Sequence, residues 1–246
     1  MNLLPGSTFV AQNRPCPYLD DRLSSTLYRY GGIDTTAYEA LIMRGWRRFG
    51  NLFFAPICGG CEQCYSLRID THRFQPSRSL KRVLQKNRDT QLVIRRPTLS
   101  SEHLDLYNRY HQERKATRGW QHEPSSRAEY LQAFVEGARD FGYEFAYYRE
   151  EQLVAVALVD LLPNAISAVY CFYDPLYKPY SLGTFSILKQ IAFAKKRGVS
   201  YLYPGYWVPE NRSLSYKSRF KPFEILQGRP GLEDEPRWHT PHLASF

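Results

Sequence analysis

The run EFAYYREEQLVAVALVDLLPNAISAVYCFYDPLYKPYSLGTFSILKQIAFAKKR, residues 144–197, decides how this chain folds. Its first 30 residues break into three apolar, β-branched or aromatic runs, 144–149, 153–162 and 165–173. The breaks, Glu150-Glu151-Gln152 and Pro163-Asn164, are too short for anything but hairpins, so the strands are antiparallel neighbours. Asp174 to Ser181 carries two prolines and reads as a loop. Residues 182–197 then switch to helical periodicity, and Gly198 ends the helix. A strand at 199–203, a short helix at 212–220 and a strand at 223–226 follow. Upstream, a strand at 91–96 is broken by Pro97. Two helices come next, at 102–115, capped by Ser100 or Ser101, and at 126–137. The polar stretch 116–124, with Gly119-Trp120, joins them as a loop.

This order, strand, two helices, three antiparallel strands, loop, helix, strand, helix, strand, resembles the acyl-CoA N-acyltransferase fold. The expected fold class is therefore α+β: a GNAT-like mixed sheet with flanking helices over residues 91–227. A smaller cysteine-bearing α/β unit is expected over 1–90, and a polar, Pro-rich tail with an isolated Trp238 over 228–246. In that fold a helix N-terminus offers its N–H groups to a phosphate-bearing donor. The matching residues here are Ser181, Gly183 and Thr184. Acetyltransferases carry several glycines in this loop. This chain has Gly183 alone, with Pro179 close by, which weakens coenzyme A as the donor.

The front of the chain holds the charge. Residues 1–97 carry 15 Lys and Arg against 7 Asp and Glu, and the rest carry 18 against 17. The net +9 is thus a local positive field, suited to a polyanion or an acidic substrate. Nineteen tyrosines among 33 basic residues suit single-stranded nucleic acid, although half-buried core positions account for tyrosines equally well. Residues 1–34 read as irregular apart from a strand at 26–30. A helix runs from Asp34 or Thr35 to Arg44, and 46–55 reads as one strand. Residues 65–74 read as a returning strand, with Leu67 and Ile69 on one face and Arg68 and Asp70 on the other. Pro76-Ser77 opens a helix to about Asn87, with Leu80, Val83 and Leu84 inward and Arg78, Lys81, Arg82 and Lys86 outward.

Between these lies Cys58-Gly-Gly-Cys61-Glu-Gln-Cys64. With Cys16 it makes four thiolates, a set that suits tetrahedral zinc or an iron–sulfur cluster; four reduced thiols without metal are the alternative. Cys171, in mid-strand, reads as a small buried residue. Five clustered cysteines oppose a secreted disulfide framework. No apolar run reaches the roughly 18 residues of a membrane span. Met1-Asn-Leu-Leu-Pro5 lacks the basic and apolar regions of a signal peptide, so a cytoplasmic protein is expected.

The whole chain, residues 14–226, resembles the arginyl-tRNA–protein transferase family, most closely its bacterial branch, the aspartate/glutamate leucyltransferases. In the first half the residues that carry this are Cys16-Pro-Tyr-Leu, Pro56-Ile-Cys58 with Cys61 and Cys64, Arg68-Ile through Phe74-x-Pro-Ser-Arg-Ser79, and Asn87-x-Asp89. In the second half they are Tyr173-Asp-Pro175, Ser181-Leu-Gly-Thr-Phe-Ser186, and Tyr201-Leu-Tyr-Pro-Gly-Tyr-Trp207 followed by Tyr216-Lys217. The resemblance implies that an aminoacyl group, leucine in that branch, moves from tRNA to the α-amine of a protein beginning with Asp or Glu. The product is marked for N-terminal-rule degradation. The resemblance also associates the N-terminal cysteines with a metal site in eukaryotic members.

That chemistry needs no cofactor, because the donor ester is already activated. The acceptor amine, with a pKa of about 8, must be neutral to attack, and the ribose hydroxyl that leaves needs a proton. Tyr206, Tyr216 and Lys217 are candidate proton sources, and Asp174 a candidate for orienting the amine. Arg78 and Arg82, four apart on one helix face, and Arg68 are candidates for reading the acceptor's carboxylate; a solvated basic face touching tRNA is the alternative. Arg47, Arg48, Lys195, Lys196, Arg197, Lys217, Arg219 and Lys221 are candidate tRNA contacts. Phe172, Tyr203 and Trp207 are candidates for an aminoacyl pocket, although each reads more readily as plain core. The rival readings are arginyl transfer, a coenzyme A-dependent N-acetyltransferase and a non-enzymatic metal-bearing nucleic-acid-binding protein.

Overall fold

The computed structural model describes residues 6–121, 123–138 and 140–242; the signal-peptide reading of residues 1–5 lies outside them. The chain forms two compact units, each assembled from separated segments. The first comprises Met1–Gln75, Leu162–Ser167 and Ala194–Phe246; the second Pro76–Leu161 and Ala168–Phe193. These units cut the chain differently from boundaries at residues 90 and 227, because strands far apart in sequence pair inside the first.

The first unit holds an antiparallel sheet in the order β1 (Thr8–Pro15), β2 (Leu23–Tyr30), β4 (Leu52–Pro56), β3 (Arg47–Phe49). Two expectations are corrected here. Residues 8–15 are a strand rather than irregular chain. The stretch read as one strand at 46–55 is a hairpin, because Gly50, at φ 58°, lets the chain reverse at Gly50-Asn51. Helix α1 (Thr35–Met43) starts where Asp34 accepts a hydrogen bond from the Ala37 N–H at 2.8 Å. Strand β5 (Tyr65–Asp70) is the hub of the unit's second sheet. It pairs antiparallel with β10 (Tyr201–Tyr203), β11 (Tyr206–Trp207) and β12 (Phe223–Leu226). Leu67 and Ile69 are fully buried, as the alternation requires. Strand β10 runs parallel to the first residues of β9 (Ala165–Tyr173), which makes this sheet mixed. Trp238 is not isolated in a tail: it lies in β13 (Trp238–His239), pairs with Leu226, and packs on Tyr203 at 5.5 Å.

In the second unit the strands lie in the order β9, β8 (Gln152–Leu161), β7 (Gly142–Arg149), β6 (Gln91–Arg95), with β6–β7 and β7–β8 antiparallel. Strand β8 is buried along Leu153–Asp160, which is why its sequence is nearly continuously apolar. The β7–β8 turn places Glu150 and Glu151 at φ 48° and 64°. Helix α2 (Arg78–Lys86) is capped by Ser77. Helix α3 (Ser101–Arg118) is capped by Ser100, continues past the expected end and stops at Gly119, φ 69°. Helix α4 (Arg127–Tyr130) continues through a π turn and a 3-10 turn to Ala138. Leu106, Tyr110, Tyr130, Phe134, Val156, Leu158 and Phe172 form the core that α3 and α4 close over the sheet. Helix α5 (Leu182–Lys196) follows a 3-10 turn at Pro175–Tyr180. The strand, loop, helix and parallel strand of the acyltransferase-type order are therefore all present.

Candidate active site

In the first unit the chemistry gathers around β11. After β10 the chain turns at Gly205, φ 90°, a conformation that glycine adopts without strain. A methyl group there would lie 3.2 Å from the Lys217 Nζ. Lys217 sits in a 3-10 turn (Ser215–Arg219), is 7% exposed, and donates from Nζ to the Tyr206 carbonyl at 2.7 Å. Burial, with the Arg47 charge adding to it, lowers its pKa to about 7. Such an amine is both proton acceptor and proton donor at neutral pH. Tyr206 donates its hydroxyl to the Gly45 carbonyl at 2.8 Å, and burial pushes its pKa far up. Tyr216, beside Lys217, is half-buried against Phe220.

Arg47 and Arg48, expected to meet tRNA, are 5% and 6% exposed, and this corrects the surface reading. Arg47 donates to the Ser66 hydroxyl and, at 2.6 Å, to the Trp46 carbonyl, and its guanidinium lies 5.2 Å from the Tyr206 ring centre. Burial lowers its pKa from the usual arginine value. Arg48 donates to the Gly50 carbonyl. Lys217 is likewise interior. Lys195, Lys196, Arg197, Arg219 and Lys221 are exposed. Arg68 forms an ion pair with Glu224, its register partner on β12, at 2.6 Å. Its guanidinium lies over the rings of Tyr201 and Trp238 at 4.0 and 4.5 Å. Tyr203 and Trp207 are core, 1% and 3% exposed.

The same unit contains a cavity of about 310 Å³. Leu27, Trp46, Ala55, Ile57 and Leu226 give it apolar walls, and Tyr65 and Tyr206 line it with rings. Arg29, Arg44 and Arg229 also line it, against one carboxylate, that of Glu62. None of these arginines was singled out from the sequence as a substrate contact. An arginine in a β-strand reads as a solvated charge, and nothing local marks the cavity behind it.

Arg229 also donates to the carbonyls of Cys58 and Cys61, holding the cysteine turn. Arg22 reaches the Cys61 sulfur at 3.7 Å, and the Ser25 N–H the Cys58 sulfur at 3.4 Å. Burial, then the charges of Cys16, Cys58 and Cys61, push the Cys64 thiol up to about 12. The four thiols thus sense one another. Even so, among the described residues no group of three or more His, Cys, Asp or Glu is disposed to hold a metal ion. No step of the chemistry is routed through a metal.

In the second unit, Asp174 is 2% exposed and caps the 3-10 turn that leads into α5. One carboxylate oxygen accepts from the Leu176 N–H at 2.9 Å, the other from Arg109 at 3.0 Å. Ser181, at φ 53° and exposed, precedes the helix; Gly183 and the buried Thr184 form its first turn. Below them Ser186 accepts from Tyr147 at 3.1 Å and from Gln190 at 2.9 Å, and Cys171, pushed up to about 12 by burial, hydrogen-bonds the same hydroxyl. Phe172 is fully buried core. Arg78 and Arg82 are exposed on α2 with Lys81 and Lys86.

A mixed sheet with a capped loop feeding α5 has the element order of acyltransferase-type folds. Sequence comparison narrows the class. Residues 14–82 match the family "Arginine-tRNA-protein transferase, N terminus" and residues 102–227 match "Arginine-tRNA-protein transferase, C terminus". The chain belongs to the arginyl-tRNA–protein transferase family. It is 43% identical over 233 residues to a Helicobacter hepaticus protein named aspartate/glutamate leucyltransferase, covering 94% of this chain and 96% of that one. A Campylobacter jejuni protein of the same name is 45% identical over 234 residues, 94% and 97% of the two chains. One from Pseudomonas aeruginosa is 35% identical over 220 residues, 89% and 92%. Among solved structures, L-PGS from Bacillus licheniformis aligns at a TM-score of 0.47 and 16% identity, over 77% of this chain and 55% of that one.

Proposed function

We propose that this protein transfers leucine from leucyl-tRNA to the α-amine of proteins that begin with Asp or Glu, marking them for N-terminal-rule degradation in the cytoplasm. The observation that carries the reading is 43% identity along 94% of the chain with a protein named for that reaction. In the reaction the α-amine nitrogen forms a bond to the leucyl carbonyl carbon, and the bond from that carbon to the ribose oxygen breaks. One proton leaves the amine and one is gained by the ribose oxygen. Lys217, neutral above a pH of about 7, is the group we assign to carry it. Tyr216 flanks it, and the hydroxyl of Tyr206 is committed to Gly45, so Tyr206 acts through its carbonyl, which orients the lysine. Asp174 holds the loop before α5 and so positions Ser181, Gly183 and Thr184 for the donor.

The exposed Lys195, Lys196, Arg197, Arg219 and Lys221 are assigned to the tRNA backbone, as are Arg78 and Arg82 on the basic face of α2. Arg68 is spent on Glu224. The transfer as written draws on none of the cysteines; metal analysis after anaerobic purification reads whether Cys16, Cys58, Cys61 and Cys64 hold zinc or iron, and less than about a tenth of an equivalent would retire that site. The transfer assay uses radiolabelled leucyl-tRNA, arginyl-tRNA or acetyl-CoA with peptides starting Asp, Glu or Ala. Label is expected from leucyl-tRNA alone, onto Asp and Glu starts alone. Label from arginyl-tRNA or acetyl-CoA instead would replace the reading with one of its rivals.

A further inference from the structure

We propose that the cavity of the first unit receives the acidic side chain at the start of the acceptor protein, and that Arg29 reads its carboxylate; this rests on the leucyltransferase reading. Three guanidinium groups and one carboxylate line an otherwise apolar space. Two of the guanidiniums are already engaged with backbone carbonyls. Arg44 donates to those of Ala40 and Asp234, at 3.0 and 3.2 Å, and Arg229 to those of Cys58 and Cys61. Arg29 differs: its Nε is buried and has no hydrogen-bond partner among the described residues. A buried, unanswered donor is costly; the half-buried Arg29 side chain lines the cavity, and a turn of its guanidinium that brings the Nε edge to a carboxylate there makes a fork-matched, charge-assisted hydrogen bond.

The geometry of the strands explains the placement. Arg29 and Leu27 share a face of β2, and their register partners, Thr8 on β1 and Ala55 on β4, line the same cavity. One sheet face therefore supplies both the apolar floor and the charge. A volume of about 310 Å³ equals roughly ten waters, room for the first one or two residues of a peptide. The lining also includes Tyr206, whose carbonyl accepts a hydrogen bond from the Lys217 amine at 2.7 Å.

The test combines kinetics and binding. Transfer from saturating leucyl-tRNA is measured with peptides starting Asp, Glu and Asn, for the parent and Arg29→Gln. Binding of the same peptides without tRNA is measured by calorimetry. Expected for Arg29→Gln is a rise of roughly 10- to 100-fold in KM for Asp and Glu starts and a collapsed preference for Asp over Asn. The KM for leucyl-tRNA and the circular dichroism spectrum stay as in the parent. Should Arg29→Gln fail to fold, Thr8→Trp, at the exposed edge of the same wall, is expected to raise the same KM by obstructing the cavity. An unchanged Asp-over-Asn preference in a folded variant overturns the proposal, as does a parent that binds all three peptides alike. Arg29-dependent binding of acidic starts without any leucyl transfer upholds the cavity while refuting the leucyltransferase reading.

Discussion

At the scale of single residues, Lys217 is the group assigned to carry the proton, and its burial ties it to a pH response. Its folded pKa of about 7 lies below the ordinary lysine value, so the unfolded chain holds the proton more tightly. The cost of burying the charged amine is full below pH 7 and fades as pH rises toward the ordinary value. Lys217→Met removes that cost. We expect the variant to melt above the parent at pH 6, with the difference shrinking toward pH 9, as thermal unfolding at the two values will show. Its kcat is expected to fall by about 10²- to 10⁴-fold. The parent's rate should rise through a step at about pH 7 and again as the acceptor amine loses its proton at about pH 8, and the variant's should lose the first step. A variant that keeps both kcat and the step removes Lys217 from the chemistry. The lysine itself was legible as a candidate, through the Tyr216-Lys217 pair. Its burial was not, because a lysine between Ser215 and Arg219 reads as a surface charge. Arg47 and Arg48 misled for the same reason: the sequence shows a basic run, and only the fold turns Arg47 onto Ser66 and Tyr206 and Arg48 onto the Gly50 carbonyl.

Among the elements, the strands of the second unit and β5, β10 and β12 of the first were legible, whereas β1, the β3–β4 hairpin, β11 and β13 were not. β7, β8 and β9 are long, apolar and separated by two- or three-residue turns, so periodicity alone locates them. β11 and β13 are two residues each and exist only because β5 and β12 offer them a ladder partner; no local pattern announces such pairing. Two interactions set the cost of disturbing the second unit. Glu144 of β7 is fully buried and accepts hydrogen bonds from Arg95 of β6 at 2.6 Å and from the Thr98 N–H at 3.0 Å, and pairs with His103 of α3 at 3.3 Å. Burial alone would raise its pKa, but the hydrogen bonds from His103, Thr98 and Arg95 outweigh it and the net shift is downward. A carboxyl with a lowered folded pKa adds stability above its unfolded value, and that stability is lost as pH falls through the folded one. Glu144→Gln is therefore expected to cost about 2–3 kcal/mol at pH 7 and clearly less at pH 3, measured by urea unfolding. The β7–β8 turn works the other way. Glu150 and Glu151 occupy left-handed conformations that disfavour side-chain-bearing residues. Replacing them with Asn and Gly should add about 1 kcal/mol and raise Tm by about 2–4 °C. An unchanged Tm would show that this turn carries no strain.

For the molecule as a whole, the uneven charge of the chain becomes a division of labour. The interior of the first unit holds Arg47, Arg48 and Lys217, whereas Lys195, Lys196, Arg197, Arg219 and Lys221 stay on its surface. Affinity for leucyl-tRNA should then fall steeply with salt. Reversing Lys195 and Lys196 to Glu should flatten the slope of log affinity against log salt by about 1–2 units. A slope that does not change would remove these lysines from the tRNA contact. The acyltransferase-type order was readable in the sequence because it lies in long elements. The acceptor cavity was not, because its walls come from residues as distant as Thr8 and Leu232. The central claim is that an acid-tipped peptide and an aminoacyl ester meet on this protein so that the free amine takes the leucyl group. The most direct measurement is release of radiolabelled leucine from leucyl-tRNA into a peptide beginning with Asp, set beside the same peptide with its α-amine acetylated. Label in the first and none in the second is the predicted result; a folded protein that leaves leucyl-tRNA untouched in both would contradict it.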